Sequence, residues 1–380
     1  MKKIYTFIGG YLPAKNYGGP VTSIANLVLN LENKYEFRIV TSNHEFNERK
    51  KLNGIRNGWN DVYGAKVLYL NETQFNYKHI KKILMEDEVS MIYLSSVFHY
   101  KLNYPVVRAA KELNIPVLLA PRGELCENAL AIGRKKKMLF IKLLRMLGYF
   151  DKLYYHTTSE EEYLATNELL KIDKERIFLL PNMHGKNNTE KSIKKEKDRL
   201  NILFIARISK KKNLLYAIKV VNKLQYNIQF DIYGPIEDAD YWKECQLEIS
   251  KSLSNINIKY CGSLNPLDAK NIYKNYDCFL FPTFSENYGH VIVEAMLSSC
   301  PVIISKKTTP WDDIDGHGGF VIDLADEDKF VSVLNRLACM SKSEYYDCCQ
   351  SLENYTIKKL KTEQLIQEYF DIFNRIMNQK

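Results

Sequence analysis

The chain has 380 residues, 46% apolar and 26% charged, which suits a folded protein of about two domains and excludes a collagen, a disordered tail or a small disulfide scaffold. No apolar run reaches the roughly 18 residues that a membrane-spanning helix needs. The net charge of +9 is uneven: residues 1–200 carry 33 Lys and Arg against 22 Asp and Glu, and residues 201–380 carry 21 against 23, so the first half prefers an anionic partner.

In chain order, apolar runs predict strands at 3–8, 36–41, 66–70, 90–95, 116–120, 152–156 and 177–180. Helical patterns fall between them at 20–32, 77–86, 103–113 and 160–169. The opening Met1–Ile8 reads as a buried strand, because its apolar run is short and Gly9, Gly10 and Pro13 follow without a small-residue cleavage site. Residues 183–200 are polar and charged and read as a linker. Strands at 201–206, 228–233, 256–260, 277–281 and 301–305 then alternate with helices at 213–223, 241–252, 266–274 and 290–299, and the last 25 residues form one or two amphipathic helices. Strand–helix alternation of this kind predicts parallel sheets covered on both faces. The fold class is therefore α/β, with two doubly wound Rossmann-like domains at 1–182 and 201–355 and a terminal helix at 356–380 that returns to the first domain. Such sheets bind ligands at the carboxyl ends of their strands, and two facing sheets make a cleft between them.

Eight cysteines, seven of them beyond residue 201, form no CxxC pair. They read as free thiols of a reducing compartment, with no zinc site.

Two segments carry chemistry. Phe281–Met296 runs from an apolar strand through a loop holding Glu286 into a helix that carries Glu294 one turn in. A helix start offers unpaired backbone N–H groups and a positive dipole end, an anion site. A carboxylate one turn in can accept the two hydroxyls of a ribose diol. Taken alone, a solvated helix carboxylate and a loop glutamate explain the segment equally well. Phe204–Asn213 ends a buried strand at Arg207 and starts a helix near Lys212. A bidentate arginine with a point-charge lysine makes a diphosphate clamp; a basic solvated turn is the alternative. The acids Asp238, Asp240, Asp312 and Asp313 read as loop acids, and no metal or other cofactor is expected.

Glu286 and Glu294, eight residues apart, with Arg207 and Lys212 upstream, resemble family 4 of the retaining glycosyltransferases, which have the GT-B fold. Pro121-Arg122-Gly123-Glu124, Thr158-Ser159 with Glu162, Pro181-Asn182, Thr309-Pro310-Trp311 and Gly318-Gly319 resemble that family's bacterial surface-polysaccharide subgroup, so the likeness spans nearly the whole chain. It implies that Arg207 and Lys212 bind the donor diphosphate and that Glu294 holds the ribose. It also implies that Glu286 faces the donor sugar and that Asn287, Tyr288, Gly289 and His290 contact sugar hydroxyls and phosphate. Gly234 and Gly262 would lie near the base, and Gly18 and Gly19 near the donor phosphate and acceptor. His99 and Arg122 are candidate acceptor or sugar contacts; for His99 a structural or solvated role stays open. Ala206 and Asn213 stand where the family commonly has glycine.

The implied reaction is retaining, metal-independent transfer of a sugar from a nucleotide-sugar to a glycan acceptor on polyprenyl diphosphate, in capsule, O-antigen, exopolysaccharide or lipopolysaccharide assembly. Alternatives are a sugar-nucleotide epimerase of the same architecture and a non-catalytic nucleotide-binding paralogue. Between Glu127 and Asp151 no acid occurs, while Arg134, Lys135, Lys136, Lys137, Lys142 and Arg145 alternate with apolar residues. A helix of this type lies on the anionic inner-membrane surface or packs on the sheet with a solvated basic face; the first reading is expected. No nucleic-acid module is present, and the expected location is cytoplasmic, peripheral on the membrane.

Overall fold

The computed structural model describes residues 1–14, 16–46, 48, 50–131, 133–185, 195–264 and 272–379. Two compact units emerge, Met1–Met183 with Thr362–Lys380, and His184–Lys361.

In the first unit the strands are β1 (Lys3–Phe7), β2 (Glu36–Ser42), β3 (Trp59–Val62), β4 (Ala65–Leu70), β5 (Val89–Ser95), β6 (Val117–Ala120), β7 (Tyr154–Thr157) and β8 (Ile177–Leu179). They form one sheet in the order β3-β4-β2-β1-β5-β6-β7-β8, parallel except for β3 against β4. Buried apolar runs such as Ile4, Tyr5 and Phe7 of β1 suit strands covered on both sides. The helices are α1 (Gly19–Leu31), α2 (Tyr77–Met85), α3 (Tyr100–Glu112), α4 (Glu127–Ala131), α5 (Arg134–Met146) and α6 (Glu160–Leu170). Apolar side chains of α2, α3 and α5 share one core against one side of the sheet, and those of α1 lie in the core of the other side.

The second unit holds β9 (Arg199–Ile205), α7 (Leu214–Val221), β10 (Asn227–Tyr233), α8 (Ala239–Ile249), β11 (Ile256–Tyr260), β12 (Cys278–Phe281), α9 (His290–Leu297), β13 (Val302–Ser305), β14 (Gly319–Ile322), α10 (Glu327–Cys339) and α11 (Lys342–Leu360). Its sheet, β11-β10-β9-β12-β13-β14, is parallel throughout. The strand order reverses between β9 and β12, which is where a doubly wound sheet opens a crevice.

Boundaries differ from the sequence reading in specific places. The strand β3 was not expected: Trp59-Asn60-Asp61-Val62 is short and polar, as an antiparallel edge strand can be. The predicted linker ends early, because Arg199 and Leu200 open β9 and the buried Lys195 ammonium donates to the carbonyls of Glu196, Arg199 and Ala338. Its residues 186–194, and residues 266–271 of the predicted helix at 266–274, lie outside the described residues. The expected terminal boundary at 356 falls inside α11. The change of unit comes at Lys361, whose left-handed backbone (φ 40°) ends α11 before α12 (Thr362–Asn378) begins. Leu365, Tyr369, Phe373, Ile376 and Met377 recur at helical spacing on α12 and are buried in the first unit, with Phe373 beside Tyr35 and Tyr93.

A polar network crosses the first core. Arg122 donates to the Tyr93 hydroxyl (2.8 Å) and to Asn182. The Tyr93 hydroxyl meets His156 Nδ1 at 2.6 Å, and His156 Nε2 meets the Leu180 carbonyl at 2.9 Å. Since a carbonyl only accepts, Nε2 carries the proton and Nδ1 accepts from Tyr93. Burial, reinforced by Arg122, lowers the His156 pKa from 6.5 to about 3, so the ring is neutral. The unfolded chain takes up this proton below pH 6.5 and the folded chain does not. Stability is therefore present above pH 6.5 and is lost as pH falls toward 3, by up to about 1.4 kcal/mol per pH unit. Between pH 6.5 and 5 the first unit of the wild type should lose about 2 kcal/mol more than that of His156→Gln, measured by hydrogen exchange in β5–β7. Equal losses would contradict the neutral, buried assignment.

Candidate functional site

The site residues of the second unit line the carboxyl ends of its strands: Gly262 after β11, Gly234 and Glu237 after β10, Arg207 and Lys212 after β9, and Thr283–Glu294 after β12. Because β9 and β12 are neighbours, the two chemistry-bearing segments are laced together. The Lys211 carbonyl accepts from the Phe284 N–H (3.0 Å) and the Thr283 hydroxyl (3.1 Å), and the Asn213 amide donates to the Pro282 carbonyl (2.9 Å). Asn213 adopts a left-handed conformation (φ 58°), which asparagine tolerates and glycine tolerates best.

Lys212 is buried, lies 5.5 Å from the centre of the Phe281 ring and pairs with Glu286. The Glu286 backbone N–H is fixed to the Thr308 carbonyl at 2.7 Å. Arg207 is half-exposed and bonds Glu237 at 2.9 Å. Desolvation and the adjoining Lys212 hold Lys211 below the usual lysine pKa. This strip is thus dense in positive charge, offset by two carboxylates.

Helix α9 starts at His290 behind Gly289, whose backbone is left-handed (φ 75°, ψ 61°) and makes no side-chain cap. A Cβ on Gly289 would stand 2.8 Å from Ile292 and 3.2 Å from Glu286, so glycine is required here sterically as well. Glu294, one turn in, accepts from the fully buried Tyr273 hydroxyl at 3.1 Å. Burial, together with the charge of Glu294, keeps Tyr273 far above the usual tyrosine pKa. Tyr288 stacks edge-on with Trp311 (5.6 Å) and His290 (4.8 Å), and the Trp311 indole donates to the Tyr288 carbonyl. Asn287 is exposed, and its N–H donates to Glu286 at 3.1 Å. Gly234 (φ 141°) packs so closely on Ala206 that a Cβ would overlap the Ala206 carbonyl oxygen, and its N–H donates to the Gly262 carbonyl at 2.9 Å.

The remaining candidates lie in the first unit. Gly18 (φ 74°) and Gly19 are exposed at the start of α1, which has no side-chain cap. His99 is exposed at the start of α3, with its ring over Gly9 at the end of β1; desolvation by that packing lowers its pKa. Arg122 is engaged by Asn182 and Tyr93, as described above. Its neighbours in the sequence brace the sheet. Glu124 accepts from the Ser96 hydroxyl (2.7 Å) and the Val97 N–H (2.6 Å). Buried Glu162 accepts from the Gly123 N–H (2.6 Å) and from the N–H and hydroxyl of Thr158 (both 2.7 Å).

Tyr273 and Glu237 were not singled out in the sequence. Neither sits in a motif, and both matter through contacts made by folding. Asp238 caps α8 through the Tyr241 N–H, Asp312 accepts from the Lys307 N–H and Asp313 pairs with Lys359. Among the described residues, no group of three or more His, Cys, Asp or Glu side chains is gathered to hold a metal. None of the eight cysteines forms a disulfide, and no helix among the described residues is long and apolar enough to cross a membrane.

Residues 185–349 match the family of glycosyl transferases group 1. That segment is nearly the whole second unit. Two curated relatives are a 41.2 kDa protein of unknown activity in the cps region of Klebsiella pneumoniae (25% identical over 182 residues, 47% of each chain) and the capsular polysaccharide biosynthesis glycosyltransferase CapM of Staphylococcus aureus (28% over 142 residues, 36% of each chain). The chain thus spans about half or less of the curated relatives it matches. Among solved structures, Anabaena HepE in complex with UDP and glucose superposes with a TM-score of 0.69 over 99% of this chain and 100% of its own, at 14% identity. At that identity the likeness is one of fold alone, the α/β fold with two Rossmann-like units.

Proposed function

We propose that the protein is a retaining, metal-independent glycosyltransferase that moves a sugar from a nucleotide-sugar to a glycan acceptor on polyprenyl diphosphate, in the assembly of a bacterial surface polysaccharide. The observation that carries this reading is the convergence of Lys212, Glu286, Arg207 and Glu294 on one strand-end crevice beside the uncapped start of α9. The group 1 match and the capsule-region relatives agree with it.

In this reading the donor diphosphate lies against the α9 N-terminus between Arg207 and Lys212, and Glu294, held by Tyr273, takes the ribose hydroxyls. Glu286 and the amides of Asn287–His290 orient the sugar. As the bond between the anomeric carbon and the phosphate oxygen breaks, charge grows on the diphosphate, where Arg207, Lys212 and the helix dipole are already aimed. The acceptor hydroxyl attacks from the same face, and its proton passes to the departing phosphate. The two cations supply the charge that a metal supplies elsewhere.

The acceptor's lipid places the protein at the cytoplasmic face of the inner membrane. The surface of the first unit supports this. Helices α2, α3 and α5 cover one side of its sheet and carry Lys78, Lys81, Lys82, Lys101, Arg108, Lys111, Arg134, Lys135, Lys136, Lys137, Lys142 and Arg145 against Glu112 alone. On α5 only Ile141 and Leu144 are buried, while Leu139 (70%), Leu143 (52%) and Met146 (77%) are exposed. Apolar side chains ringed by lysines suit an anionic lipid surface. Leu139→Ser with Leu143→Ser should weaken binding to phosphatidylglycerol vesicles by about tenfold or more and leave nucleotide binding unchanged. Unchanged sedimentation with vesicles would return α5 to a solvated face.

Sugar transfer to a polyprenyl-diphosphate acceptor, with the anomeric configuration read by NMR, tests the whole reading. The expected product keeps the donor's configuration. An interconverted donor without an acceptor product favours an epimerase, and binding without transfer favours a non-catalytic paralogue.

A further inference from the structure

Glu237 has no assigned role, yet its backbone is zipped to the Arg207 strand end. Ile208 and Ile236 form a parallel bridge. The Ile208 N–H donates to the Pro235 carbonyl (2.9 Å), and the N–H groups of Glu237 and Asp238 return to the Ile208 carbonyl (3.2 and 3.1 Å). Gly234, whose close approach to Ala206 admits no side chain, lets the two segments run this near. The result is a carboxylate held 2.9 Å from the Arg207 guanidinium, with both side chains about half exposed, at 48% and 50%.

We infer that Glu237 is the exchangeable counterion of Arg207: the donor diphosphate displaces it on binding, and it takes the guanidinium back as the nucleoside diphosphate leaves. This rests on the donor-site reading above. A carboxylate and a phosphate present the same planar or tripodal oxygen acceptors to one guanidinium and compete for it. An exposed pair of this kind is worth only about 0–1 kcal/mol, so the exchange is nearly free and reversible. The Lys212–Glu286 pair differs. Its side chains are 11% and 23% exposed, and the lysine lies over an aromatic ring, so that cation stays placed while the arginine changes partner. Glu237 is therefore a positioning residue that acts on donor entry and product release through Arg207.

The test is calorimetric titration with UDP, GDP, ADP and dTDP of the wild type, Glu237→Gln, Arg207→Ala and the double variant, at low and high salt. Glutamine keeps the volume of the side chain and removes the competing charge. Glu237→Gln should tighten the nucleotide that binds by about two- to fivefold, less at high salt, with a lower donor KM and a lower kcat where release limits turnover. In the Arg207→Ala background the same substitution should change affinity little, because the cation being contested is gone. Equal or weaker binding by Glu237→Gln overturns the inference. So does the same tightening without Arg207, which would mark a through-space field instead of an exchange. No binding of any of the four nucleotides to the wild type overturns the donor-site reading, and this inference with it.

Discussion

Replacing Lys212 by alanine is expected to lower kcat/KM for the donor by about 10²–10³-fold, the range seen when one preorganised donor to a developing anion is removed. The lysine is well placed for such an effect. It is buried, its ammonium pairs with Glu286, and its position leaves no conformational search when the leaving diphosphate gains charge. Arg207→Ala should cost less, about tenfold or more, because that side chain is half solvated and already shares its charge with Glu237. Melting of both variants should stay close to that of the wild type, since neither side chain belongs to the apolar core of the second unit. Lys212→Arg should restore part of the rate. Near-normal turnover in Lys212→Ala, measured under single-turnover conditions, would contradict the diphosphate-clamp assignment.

The second large effect concerns stability. Glu162→Ala is expected to destabilise the first unit by about 3 kcal/mol or more. The buried carboxylate accepts from two backbone N–H groups, those of Gly123 and Thr158, as well as from the Thr158 hydroxyl. An alanine leaves both N–H groups without this acceptor, at about 1–3 kcal/mol each. Glu162→Gln retains one acceptor oxygen but turns an NH₂ toward an N–H, so it should recover only part of the loss. Hydrogen exchange read separately for 117–170 and for the second unit checks this, since a two-unit chain has no single unfolding free energy. Unchanged protection in 117–170 would show that the brace is dispensable.

These two residues also show what was legible in the sequence. Arg207, Lys212, Glu286 and Glu294 stand out by residue type and spacing, and alternating apolar runs mark most strands of both sheets. The pairing of Lys212 with Glu286 is a different matter. It follows from β9 and β12 being neighbours in the sheet, a crossover that no local pattern encodes. Glu237 and Tyr273 became visible only through the folded chain, since they meet their partners across 30 and 21 residues. Pro121–Glu124 and Thr158–Glu162 were recognisable as motifs but not for what they do. Their carboxylates hold the ends of β5, β6 and β7 together instead of presenting charge to solvent. His156 gave no signal either, because a histidine in an apolar strand reads alike whether it is charged or neutral. Its burial, reinforced by the nearby Arg122, decides that it is neutral. The edge strand β3 was hidden by its polarity, and α12 was foreseen as an amphipathic helix with its start misplaced by six residues, at 356 instead of Thr362.

The most direct test of the central claim, that the second unit binds a nucleotide-sugar and activates its leaving group, is a screen of nucleotide-sugars against the purified protein that follows thermal stabilisation and slow donor hydrolysis together. One donor should stabilise the protein by roughly 2.7 kcal/mol at 100 times its Kd and be hydrolysed by the wild type but not by Lys212→Ala. Stabilisation by no nucleotide-sugar, with intact binding to anionic vesicles, would contradict it.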